Sequence, residues 1–170
     1  MPELPFSVRL TVPSEPQQVG APVQVSIAVR NISDQPLWII GVLEGSELGL
    51  RYPHYLPQIT GPQPLPAVEI EYDMLAPLRL QDFRRLAAGE SFDPTAQQNG
   101  EAYLPLYTFT NFRPPAPGRY ELRLTLSTES TANEQWMGGW ELPGKEQAQE
   151  RLTLVPRLRV DSNVAVVMVE

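Results

Sequence analysis

His54 is the single histidine of this 170-residue chain, so a Ser-His-Asp relay or an imidazole metal site would have to pass through it. Its setting, Arg51-Tyr52-Pro53-His54-Tyr55-Leu56-Pro57, carries no strand-turn-helix signal, and no G-x-S-x-G segment occurs in the chain. No catalytic or metal-ligating role is expected there, and Tyr52, His54 and Tyr55 are read as an aromatic loop patch. Glu69, Glu71 and Asp73 alternate with Val68, Ile70 and Tyr72, which on a strand would set the carboxylates on one face about 6 to 7 Å apart. Such a spacing suits a carboxylate-based hydrolase or a calcium ion. Neighbours on one strand, however, point in parallel into water, whereas catalytic pairs face each other across a cleft. The expected role is a solvated face that discourages edge aggregation, with the hydrolase kept as the competing class.

Two indoles, Trp136 and Trp140, share the segment Trp136-Met137-Gly138-Gly139-Trp140. They form either an anchor that pins a long loop to the domain or an exposed stacking platform, and the cost of exposing tryptophan favours the anchor. Asn31-Ile32-Ser33 fits a glycosylation sequon, but the same residues make an ordinary turn.

Composition narrows the partners. Thirteen basic residues against 20 acidic ones give a net charge of -7, which leaves no field to replace the counterions of a nucleic-acid backbone. With no cysteine, thiol catalysis, thiolate metal sites and disulfides are excluded together. The longest apolar stretches, Leu37 to Leu43 and Val164 to Val169, fall well short of the roughly 18 residues of a membrane span. Met1-Pro2-Glu3-Leu4-Pro5 does not look like a basic segment followed by an apolar signal core. The compartment therefore stays open between the cytoplasm and export with a signal removed, and the oligomeric state stays open with it.

The elements that must position these residues are strands. Nineteen prolines and 11 glycines stand between apolar runs, where they punctuate turns, and helix interiors do not tolerate that much proline. Period-two alternation marks strands over Phe6 to Val12, Val23 to Val29, Val68 to Met74 and Tyr120 to Leu126. Leu37 to Val42 is apolar on both faces and is read as a central strand, Ser91-Phe92 as a short one, and Tyr103 to Phe112 as an aromatic strand of unreadable register. Leu78 to Leu80 suits a hairpin partner of the acidic strand, with a helical turn around Asp82 to Leu86 as the alternative. Lys145 to Leu152 is the one expected helix. The chain closes on Leu158 to Met168, interrupted at Asp161-Ser162-Asn163. The expectation is one all-β domain over 1–170, an antiparallel sandwich of about seven to nine strands, with long insertions at about 43–66 and 127–150.

This order resembles bacterial immunoglobulin-like sandwich domains. Ile27 lies mid-strand, Trp38 follows on the next strand, and Pro117-Gly118-Arg119-Tyr120-Glu121-Leu122 opens a later one. The resemblance implies a tyrosine corner at Tyr120, an inter-sheet tryptophan at Trp38, and apolar packing of Ile27 and Leu122 where antibody domains carry cysteines. Asn31-Ile32-Ser33, Leu86-Ala87-Ala88-Gly89-Glu90 and Pro117-Gly118-Arg119-Tyr120 also resemble, more loosely, the intracellular proteinase-inhibitor domain. In the immunoglobulin order, the loops 31–36, 93–101 and 127–150 emerge at one end and the 43–66 insertion at the other. The function expected is a non-enzymatic binding module without a cofactor. Its recognition residues would be Trp136, Trp140, Asn31, Asp34, Gln97 and Asn99, with Tyr52, His54 and Tyr55 as a second patch. Another protein is the first expected partner and a glycan the second.

Overall fold

The computed structural model describes residues 3–72, 74–139 and 143–170. Nine strands among them form three antiparallel sheets. In β1 (Phe6–Thr11), Phe6, Val8 and Leu10 turn inward while Arg9 and Thr11 face water, as the alternation requires. It pairs with β2 (Ser26–Asn31) in the register Val8↔Val29 and Leu10↔Ile27, and β6 (Ser91–Phe92) extends the sheet through Val29↔Phe92.

The second sheet is built around β7 (Gly118–Ser127), whose Tyr120, Leu122, Leu124 and Leu126 are completely buried. On one side β4 (His54–Thr60) pairs along its whole length, with Tyr55↔Leu126 and Ile59↔Leu122. On the other side β8 (Arg159–Asp161) and β9 (Ala165–Val169) succeed each other. The interruption between them is structural. The Ser162 hydroxyl accepts from the Leu124 amide at 2.9 Å, while Asn163 Oδ1 accepts from the Leu10 amide at 2.8 Å and its Nδ2 donates to the Leu10 carbonyl at 3.1 Å. Asn163 thus stands in for a strand neighbour of β1 and ties the two sheets together. Their inner faces bury one apolar core, including Ile27 and Leu122, in an all-β arrangement of the sandwich type. The Tyr120 hydroxyl donates to the Ala116 carbonyl at 2.8 Å, which fixes the corner before β7. Gly61, just after β4, must be glycine because a Cβ there would sit 2.4 Å from the Tyr120 ring.

Several expectations are corrected. Leu37 to Val42 is not central: β3 (Leu37–Ile40) pairs with β5 (Phe83–Leu86) in a separate two-stranded sheet. Trp38 is only partly buried and is covered by the Arg151 guanidinium, 4.5 Å from its ring, so among the described residues the completely buried indole is Trp136 instead. Among the described residues, 78–86 form no hairpin with 68–72, and the expected helical turn over Asp82 to Leu86 gives way to strand at Phe83–Leu86. Leu80–Asp82 is one 3-10 turn that leads into β5.

Tyr103 to Phe112 is no strand. Tyr103, Leu106, Phe109 and Phe112 are buried at three-residue intervals, Pro105 breaks any ladder, and Tyr107–Thr110 forms the short helix α1. Residues 68–72 show the expected alternation in exposure, with Glu69 and Glu71 outward, but they pair with no strand; Asp73 lies outside the described residues. The 43–66 segment is not a mere insertion, because it contains β4. The excursion after β7 holds the short helix α2 (Glu134–Met137), and α3 spans Lys145–Leu152 as expected.

Candidate functional site

Of the expected recognition residues, two are structural. Asn31 is completely buried. Its Oδ1 accepts from the amide and hydroxyl of Ser33, and its Nδ2 donates to the carbonyls of Gln35 and Leu86 at 2.7 and 3.1 Å. With its hydrogen-bonding capacity committed, Asn31 shapes the 31–36 turn and ties it to the end of β5, so its side chain is free neither for recognition nor as a glycosylation acceptor. Asp34 is exposed on that turn.

Gln97 and Asn99 belong to a loop folded around the buried Glu101. Gln97 Nε2 donates to the Tyr103 carbonyl at 2.9 Å, and the amides of Asn99 and Gln98 donate to the Glu101 carboxylate at 2.6 and 3.0 Å. Burial raises the Glu101 pKa, but these amides and the Arg84 charge 3.8 Å away outweigh it and hold the group below the usual carboxylate range. Arg84 also donates to Gln98, so this loop packs on the start of β5, while the Asn31 turn packs on its end.

Trp136 is the other structural residue. Its indole is completely buried, and Nε1 donates to the Ser130 carbonyl at 3.0 Å. The Tyr52 ring lies 5.6 Å from it and the Arg157 guanidinium 4.9 Å from it. It is an anchor and not a platform; Trp140 lies outside the described residues. The Tyr52 amide donates to the Gln135 carbonyl at 2.8 Å, and the His54 ring stacks on Tyr52 at 3.7 Å. The two excursions expected at opposite ends therefore pack on each other, because β4 begins where β7 ends. Burial lowers the His54 pKa and the nearby Glu129 partly opposes that. Tyr55 is core. Its hydroxyl donates to the Ile40 carbonyl at 2.6 Å, and burial pushes its pKa well above the ordinary value.

Behind this ladder lies Arg51, a residue whose role had no sequence signal beyond a lone cation among aromatics. It is 2% exposed, and its guanidinium donates to the carbonyls of Ala76 and Trp136. Burial drives its pKa down to about 10, against the opposing pull of Asp82 and Glu44. Arg51 clamps three loop segments onto one another.

One feature with capacity to receive a ligand is an open groove of about 610 Å³ between β4 and residues 65–70, closed at its far side by α1. Leu48, Ile59, Leu65, Val68 and Phe112 give it an apolar lining, and Gln58, Glu69 and Asn111 supply polar groups. Glu47 braces one wall. Its carboxylate accepts from the amides of Tyr107 and Thr108 at 2.6 and 2.9 Å and from the Thr108 hydroxyl at 2.5 Å, so it caps α1. Sequence reading missed the groove because β4 lies in a segment that looked irregular, while Val68 to Ile70 and Thr108 to Phe112 were expected as parts of strands.

Glu69 and Glu71 are exposed, and among the described residues no group of three or more acidic or histidine side chains is placed to hold a metal. No helix among those residues is long and apolar enough to cross a membrane. No family description, curated protein or solved structure gives a significant match to the chain.

Proposed function

We propose that this chain is a non-enzymatic binding module, an immunoglobulin-like sandwich whose partner is another protein. The sheet order β1-β2-β6 against β4-β7 with β8 and β9, together with the Tyr120 corner, supports the immunoglobulin-like reading. The observation that carries the binding reading is the groove beside β4, concave and apolar with a few polar groups on its walls, the composition of a recognition site. The recognition surface thereby moves from the tryptophan loop to β4 and 65–70.

A photoreactive residue at Gln58, on the groove wall, should capture a discrete protein in cells expressing the chain. The same residue at Arg9, exposed on the other sheet, should not. Equal labelling from both positions, or no adduct from Gln58, would refute the assignment.

A further inference from the structure

The two edges of β7 are distinguishable by their hydrogen bonds. The amide and carbonyl of Leu124 both bond to Ser162, so the even-numbered residues of β7 point their backbone groups at β8 and β9, and the odd-numbered ones point at β4. In an antiparallel ladder the partners of the odd residues, namely His54, Leu56, Gln58 and Thr60, bond back to β7. Tyr55, Pro57 and Ile59 must then direct their backbone groups to the open side. The Tyr55 amide confirms the parity, because it donates to Ser46 on that side at 3.1 Å.

The edge facing the groove thus carries the Pro57 carbonyl and the amide and carbonyl of Ile59, none with a partner among the described residues. Residues 61–66, which run from the end of β4 to the far wall, hold Pro62, Pro64 and Pro66. In an extended run, amides at alternate positions face the same side, so three prolines in that phase strip one side of donors.

We infer, resting on the binding reading above, that the open edge of β4 accepts an extended basic peptide of the partner protein as an added strand. The backbone groups of Pro57 and Ile59 supply the pairing. Alternate side chains of the added strand would enter the apolar wall of Leu65, Val68 and Phe112. Among the described residues the charged ones lining the groove are Glu47 and Glu69, both acidic, and the exposed Glu69 favours lysine or arginine at the intervening positions.

The test uses the full chain and a blocked Lys-Val-Lys-Val-Lys-Val-Lys peptide, its glutamate counterpart, and two versions N-methylated on alternate residues in either frame. Saturation with the lysine peptide should slow hydrogen exchange at the Ile59 amide by at least about tenfold. The glutamate peptide should not bind. One N-methyl frame should abolish binding while the other retains it, and Glu69→Lys should weaken the lysine peptide about three- to tenfold. Binding without protection of Ile59, or unaffected by either N-methyl frame, would overturn strand addition and leave the protein-binding reading standing. Protection of Ile59 in the free chain would show the edge already closed by residues 65–70, and absence of binding by the lysine peptide at millimolar concentration would equally overturn the inference. The photocapture at Gln58 judges the broader reading separately.

Discussion

Replacing Trp136 separates an anchor from a recognition residue. The side chain is completely buried, and an indole buries about 150 to 250 Å², which at about 25 cal/mol per Å² corresponds to roughly 4 to 6 kcal/mol of transfer free energy, an upper bound. Trp136→Ala should therefore cost about 3 to 5 kcal/mol after partial collapse of the cavity. Trp136→Phe keeps most of the apolar body but leaves the Ser130 carbonyl without its 3.0 Å donor and weakens the contact with Arg157, for about 1.5 to 3 kcal/mol. Equilibrium urea unfolding followed by far-ultraviolet circular dichroism measures both. Hydrogen exchange adds a local reading, since the Tyr52 amide bonded to Gln135 should lose protection first. Because the indole lines no part of the groove, Trp136→Phe should leave groove binding unchanged wherever the protein stays folded. A stability change below about 0.5 kcal/mol for Trp136→Ala, the range of ordinary surface substitutions, would refute the anchor.

Asn31→Ala should destabilise by about 2 to 3 kcal/mol, since it strands the Leu86 and Gln35 carbonyls bonded by Nδ2; a change in urea midpoint near zero would show that the turn holds without it. Gly61→Ala should cost about 1 to 3 kcal/mol by overpacking, because its Cβ would meet the buried Tyr120 ring at 2.4 Å; a wild-type melting temperature would contradict that geometry. Burial raises the pKa of Tyr103 and of Tyr55 above the ordinary 10.0. A group whose folded pKa is raised stabilises fully below its unfolded value and loses that contribution as pH climbs through the folded one, so stability should fall at alkaline pH above 10.0. Tyr103→Phe, though weaker at neutral pH through loss of its bond to the Asp82 carbonyl, should show a shallower alkaline decline in urea midpoint; an unchanged slope would refute the contribution of Tyr103.

How legible the fold was depended on whether one face of each element met water. β1, β2 and β7 alternate cleanly because each buries a single face, and α3 falls where the sequence places its one expected helix. Tyr103 to Phe112 was misread because apolar residues at three-residue spacing look, in a short window, like a strand buried on both faces. Residues 68–72 carry a strand's alternation without its ladder, since exposure follows from how an extended run lies on the domain and pairing requires a free neighbouring edge. Buried polar groups were the least legible. Nothing in the sequence distinguishes Asn31, Arg51 or Glu101 from solvated residues, because their partners are mostly backbone groups placed by the chain's tertiary course.

β4 is the informative failure. Pro57 and the surrounding glycines and prolines argued for a loop, on the sound rule that proline cannot serve a central strand. The register resolves the conflict: Pro57 sits opposite Leu124 at a position whose missing amide would have pointed away from β7, so the ladder loses nothing. The same substitution removes a donor from the open edge and makes it a poorer template for indiscriminate pairing. The Ile59 amide, two residues on, remains available beside the apolar groove. A proline that reads as loop chemistry in isolation therefore protects an edge strand from general aggregation while leaving a short, side-chain-selective stretch open. If that reasoning holds, Pro57→Val should restore a donor facing solvent, leave thermal stability within about 1 kcal/mol of wild type, and raise concentration-dependent self-association measured by sedimentation velocity. A variant that stays as monodisperse as the parent would show that Pro57 does not guard the edge.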